Sequence, residues 1–250
     1  MLTNITNKKK VIETLGDDND YYGVFGKNYF SQSDIKVLCQ NPVAFKGGGF
    51  ETKELLMGKY FHQLMLEPEK SADFPVLNVS SRNTKAYKEA LEHNNFKMIM
   101  LEHEKKSVEE WVSAMKRNLK IYDLIYDDNN RFEVPEVKII NGYAFKGKAD
   151  IISNDYVIDL KTTSNVHDFP WSVRKYYYDV QGYIYRELFG KPIMFISIDK
   201  TNHMMAKDTL NENSYEQGRI KLQKGLENYE KFFGKNSVEN AEDYVIEREI

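Results

Sequence analysis

The chain has 250 residues, of which 41% are hydrophobic and 29% are charged, enough for one large domain or two small ones with a substantial core. The net charge is −3 and the pI is about 6.0, which argues against a protein that coats DNA through a general basic surface. A nuclease stays compatible with this charge, because metal-binding carboxylates lower the net charge while a local basic groove can contact phosphates.

The sequence shows no membrane or secretion signal. No apolar run approaches the ~20 residues that span a bilayer, and the first residues lack the apolar core of a signal peptide. The single cysteine, Cys39, excludes an intramolecular disulfide and a cysteine metal cluster, and we expect it to be a small buried hydrophobe. These features predict a cytoplasmic protein with no membrane partner.

The first predicted elements are an arm and two helices. Residues 1–20 are polar and end in a Gly-Asp-Asp-Asn-Asp run, which predicts a flexible N-terminal arm. A helix over 33–40 is capped by preceding serines and ends before an Asn-Pro pair. Three glycines at 47–49 indicate a flexible joint, and a second helix covers 52–66.

The remaining predicted elements alternate between helices and strands. Ser107 and Glu110 have the spacing of a capping box, so we expect a helix to begin there. The predicted helices lie at 84–96, 107–126, 170–189 and 214–233, and the predicted strands at 132–140, 143–153, 156–162 and 192–199. Residues 242–249 are ambiguous and could form a strand. The core order is helix, three strands, helix, strand, which predicts an α/β fold with a mixed sheet.

The stretch 146-KGKADIISNDYVIDLKTT-163 predicts a hairpin that sets two aspartates against each other. If Asn154 and Asp155 form a two-residue loop, Asp150 faces Asp159, and Lys161 points to the same face. Like charges directly opposed on a sheet destabilise it, and a divalent cation between them would remove that penalty. The alternative is a solvated charged face with a different register.

Two helical residues strengthen the hypothesis of a site at this hairpin. His62 in the helix over 52–66 can project toward the sheet, although a lone histidine is more often a core or surface residue. Tyr177, Gln181 and Tyr185 have i, i+4, i+8 spacing and share one helix face, where the alternative is an amphipathic packing stripe.

Together these residues resemble the PD-(D/E)XK nuclease superfamily, and within it the RecE-type exonucleases of phages and prophages. Asp150 followed by Asp159-Leu160-Lys161 and two threonines is similar to the family's Asp, turn, Asp/Glu-x-Lys motif. The first aspartate follows alanine, where the named pattern has proline. Gly58 to His62 with Leu66-Glu67-Pro68 is similar to the family's histidine helix, and Tyr178 to Gln181 with Tyr185 is similar to its later helix. Residues 29–46 are similar to its opening segment.

The resemblance implies the restriction-endonuclease-like αβββαβ core as one domain over 21–250, with a helical insertion around 71–130. It covers roughly 28–70 and 142–190, and the chain lacks the four cysteines of the family's iron–sulfur branch. It also implies a DNA substrate and a Mg²⁺ cofactor that Mn²⁺ can replace.

The resemblance assigns a role to each candidate residue. Asp150, Asp159, His62 and the Leu160 carbonyl would be metal ligands. Lys161 would position or help deprotonate the attacking water and stabilise the phosphorane charge. Gln181 would hydrogen-bond the nucleophile or the scissile phosphate. The candidate substrate contacts are Tyr185, Arg174, Lys175, Lys148 and Lys146; each of the basic residues alone is usually a surface charge. Glu67 is a weaker candidate, because a carboxylate that ends a helix before Pro68 is an equally good reading.

By analogy the protein is expected to be a metal-dependent exonuclease that resects linear duplex DNA in the 5′→3′ direction. It would form a homo-oligomeric ring in the bacterial host cytoplasm and act with a single-strand annealing protein in phage recombination. One alternative is an endonuclease of the same superfamily. Another is a catalytically silent DNA-binding protein on the same fold.

Overall fold

The computed structural model describes residues 1–45, 47, 51–94, 96–237 and 239–246. The helices are α1 Lys8–Leu15, α2 Asp18–Tyr22, α3 Gln32–Gln40, α4 Lys53–Leu66, α5 Lys85–Asn94, α6 Glu102–Arg117, α7 Leu119–Ile125, α8 Phe169–Lys175, α9 Tyr178–Phe189 and α10 Glu212–Phe233. The strands are β1 Val76–Leu77, β2 Met100–Leu101, β3 Arg131–Ile140, β4 Tyr143–Ile152, β5 Val157–Thr163, β6 Ile193–Asp199 and β7 Met205–Thr209. None of the described helices is long and apolar enough to cross a bilayer.

A five-stranded mixed sheet with the order β3-β4-β5-β6-β7 forms the centre of the fold. Tight turns make β3, β4 and β5 antiparallel, whereas β5 and β6 are parallel because α8 and α9 connect them. The predicted mixed α/β fold and the order of three strands, helix and strand are confirmed. Strand β7 was not predicted, because its sequence Met-Ala-Lys-Asp-Thr lacks the alternation of a strand.

Helices pack on both faces of the sheet. One apolar cluster joins the sheet to α3, α8, α9 and α10, and a second joins its other face to α4, α6 and α7. Gly147 in β4 permits close packing by α9, because a Cβ there would lie 2.9 Å from the Tyr185 ring and 2.7 Å from Leu188. This contact sets the distance between α9 and the motif strands.

The N-terminal residues are packed against the sheet, so the prediction of a flexible arm over 1–20 is wrong. Helix α1 buries Val11 and Leu15 in a cluster with Val137 and Ala144 of the sheet. Leu2 accepts a hydrogen bond from the Ala144 N–H at 2.8 Å, so the first residues line the open edge of β4. The composition of residues 1–20 is polar, but the two apolar residues Val11 and Leu15 attach α1 to the sheet.

Residues 71–130 contain α5, α6 and α7, and the helix boundaries differ from the prediction. Helix α6 begins at Glu102, because the buried Glu104 carboxylate accepts from the Leu101 N–H at 3.0 Å and binds Arg82. Ser107 is therefore not a cap; its hydroxyl donates to the His103 carbonyl. The predicted helix over 107–126 is two helices, and Asn118 caps the second.

Three other boundaries also differ. The predicted helix over 170–189 breaks between α8 and α9, where Tyr177 has a left-handed backbone with φ 64°. Helix α10 begins after Asn211, which accepts from the Ser214 N–H. Residues 242–246 show no strand within the described part of the C-terminal segment, and 247–249 lie outside it. Of the predicted joint at 47–49, only Gly47 is described.

Candidate active site

The β4–β5 hairpin has the predicted register. Ser153 and Tyr156 close a two-residue loop through a 2.9 Å hydrogen bond from the Ser153 N–H to the Tyr156 carbonyl. Ile152 then pairs with Val157, and Ile151 pairs with Ile158. The next residues in this register are Asp150 and Asp159, so the turn places the two carboxylates side by side.

The two strands separate at the aspartates. Beyond Ile151 and Ile158 the ladder between β4 and β5 ends, and the Leu160 N–H donates to Asp150 Oδ2 at 2.7 Å. A side-chain carboxylate thus takes the place of a backbone acceptor at this point. The gap opens into a cleft of about 1010 Å³ that both aspartates line. The Leu160 N–H contacts a site carboxylate, whereas the role of the Leu160 carbonyl as a metal ligand stays a prediction.

Helix α4 delivers His62 to the same point. The Thr52 hydroxyl caps α4 by accepting from the Leu55 N–H, and Phe61 and Met65 of the same helix are buried in the core. His62 Nδ1 lies 3.3 Å from Asp150 Oδ2. The structure thus brings His62 and the motif carboxylate together, as the sequence predicted.

Glu133 is a site residue that the sequence analysis missed. It lies opposite Asp150 in the β3–β4 register, and its ligand atoms and those of His62 and Asp150 all lie within 4.8 Å of one another. Its backbone has φ 49°, a left-handed conformation that is strained for a glutamate in a strand. The sequence signal for this residue is the Asn141-Gly142 pair, which is typical of a two-residue hairpin loop. Such a loop pairs Ile140 with Tyr143, and counting along both strands from that pair brings residue 133 opposite residue 150.

The second aspartate is held by Lys161 and Gln181. Asp159 Oδ2 forms an ion pair with Lys161 Nζ, and Asp159 Oδ1 accepts a hydrogen bond from Gln181 Nε2. Lys161 Nζ also lies 4.7 Å from the centre of the Tyr178 ring. Gln181 therefore orients a carboxylate, and its contact with nucleophile or phosphate stays a prediction.

Burial and neighbouring charges shift the pKa values of these groups. Burial lowers the pKa of the His62 imidazole, but Asp150 and then Asp159 raise it more, so the net direction is upward. Burial, and next the Asp150 charge, raise the pKa of Glu133 to about 8. Burial opposes the charge of Lys161, yet the adjacent Asp159 raises the pKa of that ammonium, so Lys161 is protonated at neutral pH.

The predicted substrate contacts lie at different places. Tyr185 lines the cleft, but its hydroxyl donates to the Lys148 carbonyl. Lys148 also lines the cleft, where Asp18 of α2 holds its ammonium and Glu133 lies 4.0 Å away. Arg174 and Lys175 are exposed on α8, and neither is among the residues that line the cleft.

Two further candidates from the sequence are paired within the protein. Lys146 is buried, donates to the Tyr21 carbonyl and lies 4.1 Å from the centre of the Tyr21 ring. Burial lowers the pKa of this ammonium to about 8. Glu67 lines the cleft and forms an ion pair with Lys70. A contact of any of these residues with phosphate stays a prediction.

The donor set fits a hard divalent cation. Carboxylate oxygens and an imidazole nitrogen converge on one point, and three carboxylates share the cleft wall with Lys161 as a charged partner. Burial and then the Asp150 charge raise the pKa of Glu133, and a cation among the carboxylates would relieve the repulsion between them. His62, Glu133, Asp150 and Asp159 are the residues that could hold it.

Comparison with known proteins places the fold and the family. The sequence matches the family described as a PDDEXK-like domain of unknown function (DUF3799) over residues 33–240. The crystal structure of a candidate exonuclease from Eubacterium rectale has a TM-score of 0.66 at 18% identity, over 94% of this chain and 95% of that chain. A phage-related exonuclease from Haemophilus somnus 129PT gives a TM-score of 0.35 at 11% identity, over 80% of this chain and 93% of that chain.

These comparisons differ in the conclusions that they support. The likeness to the Eubacterium rectale structure shows a shared fold, and the one to the Haemophilus somnus structure is too weak for any argument. No curated protein sequence matched the chain. The family match covers most of the chain and includes His62 and the hairpin residues from Asp150 to Lys161. The chain therefore belongs to the family of PDDEXK-like domains of unknown function.

Proposed function

We propose that this chain is a divalent-metal-dependent nuclease that hydrolyses phosphodiester bonds in DNA. One observation carries the proposal. Asp150, Asp159 and Lys161 of the hairpin meet His62 of α4 and Glu133 of β3 in a single cleft. Core packing does not require three carboxylates at one place, whereas a divalent ion that assists phosphodiester hydrolysis is held by such oxygen ligands.

The residues divide into those that hold the ion and those that act on the substrate. His62, Asp150 and Asp159 would hold Mg²⁺ or Mn²⁺, and Glu133 is a fourth candidate ligand. The bound ion supplies an activated water and positive charge for the phosphate oxygens. Gln181 fixes the orientation of Asp159 through its amide hydrogen bond. This division predicts that ion binding and cleavage can be separated by mutation.

Lys161 is suited to stabilise negative charge. Its pKa is raised by Asp159 against the effect of burial, so the side chain keeps its proton at neutral pH. An ammonium that is already protonated cannot accept a proton from water. Among the roles expected from the sequence, this environment favours positioning the attacking water and stabilising the phosphorane charge over deprotonating the water.

The finer proposal is a 5′→3′ exonuclease that degrades linear duplex DNA in phage recombination. It draws on the RecE-like motif set and on the shared fold with the candidate exonuclease from Eubacterium rectale. A homo-oligomeric ring, a single-strand annealing partner and a host cytoplasmic location belong to the same proposal.

The test is incubation with linear and with covalently closed circular duplex DNA, each in Mg²⁺, Mn²⁺, Ca²⁺ and EDTA. We expect loss of linear DNA alone, in Mg²⁺ or Mn²⁺ but not in Ca²⁺ or EDTA. The Lys161→Ala variant is the control for a contaminating nuclease, and labels at the 5′ or 3′ ends give the polarity.

Each other outcome rejects a defined part of the proposal. Cleavage of circles would show an endonuclease and reject the exonuclease. Full activity in EDTA would reject the metal requirement. Intact DNA of both forms under every condition would leave a silent DNA-binding protein as the better description.

A further inference from the structure

An exposed aromatic and basic surface lies on α8, outside the cleft. Trp171 is 64% exposed and Tyr176 is 39% exposed. Lys175 Nζ lies between them, 5.2 Å from the Trp171 ring centre and 5.3 Å from the Tyr176 ring centre. We name Trp171, Lys175 and Tyr176 the α8 strip. Phe169 and Val173 bury the other side of this helix, so core packing does not require the strip.

The strip exists because the chain breaks where the sequence predicts one continuous helix. Tyr177 has φ 64°, a left-handed conformation that is strained for a residue with a side chain. The Gln32 amide holds the break by donating to the carbonyls of Tyr176 and Tyr177 at 3.0 and 3.1 Å. A strained conformation that is held by a distant side chain is a feature found at functional sites.

The strip connects with the site through Tyr178. The rings of Tyr176 and Tyr178 lie 5.9 Å apart, and the Tyr178 ring lies 4.7 Å from Lys161 Nζ. Gln32, which holds the break, itself lines the cleft. A stacked strand advances about 3.4 Å per nucleotide, so the strip begins within roughly three nucleotides of Lys161.

The charges around the strip are those that attract phosphates. Arg174 and Lys175 are the only charged residues of α8, and Lys36 of α3 places its ammonium 5.4 Å from the Tyr176 ring centre. Aromatic faces that alternate with cations bind single-stranded nucleic acid, because each base can stack while each phosphate meets a positive charge. Paired bases are already stacked and expose no face to such rings.

We infer that the α8 strip binds unpaired nucleotides of the DNA strand next to the scissile bond. This inference rests on the proposed nuclease function and specifies the form of its substrate. The occupant is a single strand of DNA, recognised by stacking and phosphate charge without base preference. Separation of the strands at the duplex end would then supply the nucleotides that reach Lys161.

The test uses the tryptophan fluorescence of the intact chain in EDTA, where no cleavage is expected. The chain has two tryptophans, exposed Trp171 and buried Trp111, which is 4% exposed and donates to the Lys200 carbonyl. We expect a single-stranded oligonucleotide to quench the emission. Trp171→Phe should lose the quenching but keep its affinity within about threefold, because phenylalanine still stacks.

Affinity is measured by the anisotropy of a labelled oligonucleotide. Trp171→Ala and Tyr176→Ala should each weaken binding about 5- to 100-fold, the range expected for the loss of one base–aromatic stack. Lys175→Ala should reduce the steepness of the plot of log affinity against log salt concentration by about 0.7, the value for one phosphate contact of a single strand. Tyr122→Ala removes a tyrosine of similar exposure, 42%, from α7 and should leave affinity unchanged.

The outcomes separate this inference from the nuclease proposal. The inference about the α8 strip is overturned if both alanine variants keep their affinity for the oligonucleotide, or if they lose as much affinity for a blunt duplex. In either case, normal cleavage of linear DNA would still support the nuclease proposal. Normal binding by the strip in a protein that cleaves no DNA overturns the nuclease and keeps single-strand binding. Circular dichroism of each variant confirms that folding is intact.

Discussion

The cleft has two charged regions, and they differ in how the charges are balanced. In the first region, Glu133, Asp150 and Asp159 converge, and Lys161 and His62 are the cations nearby. In the second region, Lys146 and Lys148 are both covered by α2, where Tyr21 and Asp18 supply their partners. The chain thus supplies each of these lysines with a partner from α2, whereas three carboxylates in the first region share one lysine.

The difference shows which region needs something from outside the chain. An excess of like charge that folding does not neutralise indicates a site for an ion, because burial makes an unbalanced charge costly. The second region is complete without a ligand. We therefore expect mutations in the first region to alter metal binding, and mutations in the second to alter stability.

The largest expected effect is in the hairpin. Asp159→Ala should lose both Mn²⁺ binding and cleavage, whereas Lys161→Ala should cleave DNA at least about 100-fold more slowly and still bind Mn²⁺. Isothermal titration calorimetry measures binding, and a gel assay with linear DNA measures the rate. Loss of Mn²⁺ binding in the lysine variant, or normal binding in the aspartate variant, would show that the two roles are wrongly assigned.

The next effect is at His62. His62→Asn should weaken Mn²⁺ binding and cleavage about 10- to 100-fold, the cost typical of a lost ligand or its support. Its melting temperature in EDTA should change little, because the imidazole contacts a carboxylate at the cleft and not the apolar core. A variant that melts several degrees lower in EDTA yet cleaves at the normal rate would identify a structural histidine.

Lys146 gives a test of the second region through pH. Its folded pKa is about 8 and its ordinary value is 10.5, so between these values the unfolded chain binds more protons. The free energy of unfolding therefore rises with pH across this window, by up to about 1.4 kcal/mol per pH unit. Below pH 8 the cost of the buried charge is fully present.

The measurement compares urea unfolding of wild type and Lys146→Met from about pH 7.5 to about 9.5. The slope should be present in wild type and absent in the variant. Staying below pH 10 avoids ionisation of Tyr21, whose pKa is raised by burial in the fold. Parallel pH profiles of the two proteins would mean that Lys146 is solvated, and the two regions would not differ as described.

Glu133 connects the backbone strain with the metal site. Glu133→Gln removes the charge and keeps the strain, whereas Glu133→Gly removes both, because glycine adopts φ 49° without a steric cost. In EDTA we expect the glycine variant to be about 1 kcal/mol more stable than the glutamine variant. Both should bind Mn²⁺ more weakly than wild type. Equal stability of the two variants would show that the position is not strained.

The smallest effect concerns Asp18. Asp18→Asn should lower the free energy of unfolding by less than about 1 kcal/mol, because the carboxylate is 43% exposed. It should tighten DNA binding in EDTA by about threefold, since Lys148 becomes free to meet phosphate. Asp20→Asn on the same helix makes the same change in net charge and is the control. An equal gain in DNA affinity from both variants would show that the effect comes from the change in net charge and not from the release of Lys148.

The candidate metal site could be predicted from the sequence where its geometry is local. The turn at Asn154 and Asp155 determines the partner of every residue in the hairpin, so Asp150 and Asp159 could be paired by counting. Glu133 could have been reached by the same count from the Asn141-Gly142 turn. The mixed character of the sheet followed from similar arguments, because short turns give antiparallel pairs and a helical connection gives a parallel pair.

Contacts between distant residues could not be predicted. The break at Tyr177 depends on Gln32, which is 145 residues away, and no periodicity in the helix sequence reveals that partner. Helix α1 is anchored by the sheet, although its own composition is polar. Helix α6 begins at a buried Glu104–Arg82 pair, whereas the local capping signal pointed to Ser107. Tertiary contacts override local preference in each case.

The loop at 154–155 has a consequence for how the protein can vary. Surface loops usually accept insertions, because a change in their length leaves the packing of the helices and strands unchanged. Here one extra residue between Ser153 and Tyr156 would shift the pairing of β4 with β5 and turn either Asp150 or Asp159 to the opposite face. Lys191 also binds the carbonyls of Ser153 and Asn154, which ties the loop to the start of β6. A length change tolerated elsewhere on the surface would therefore dismantle a centre buried several residues away.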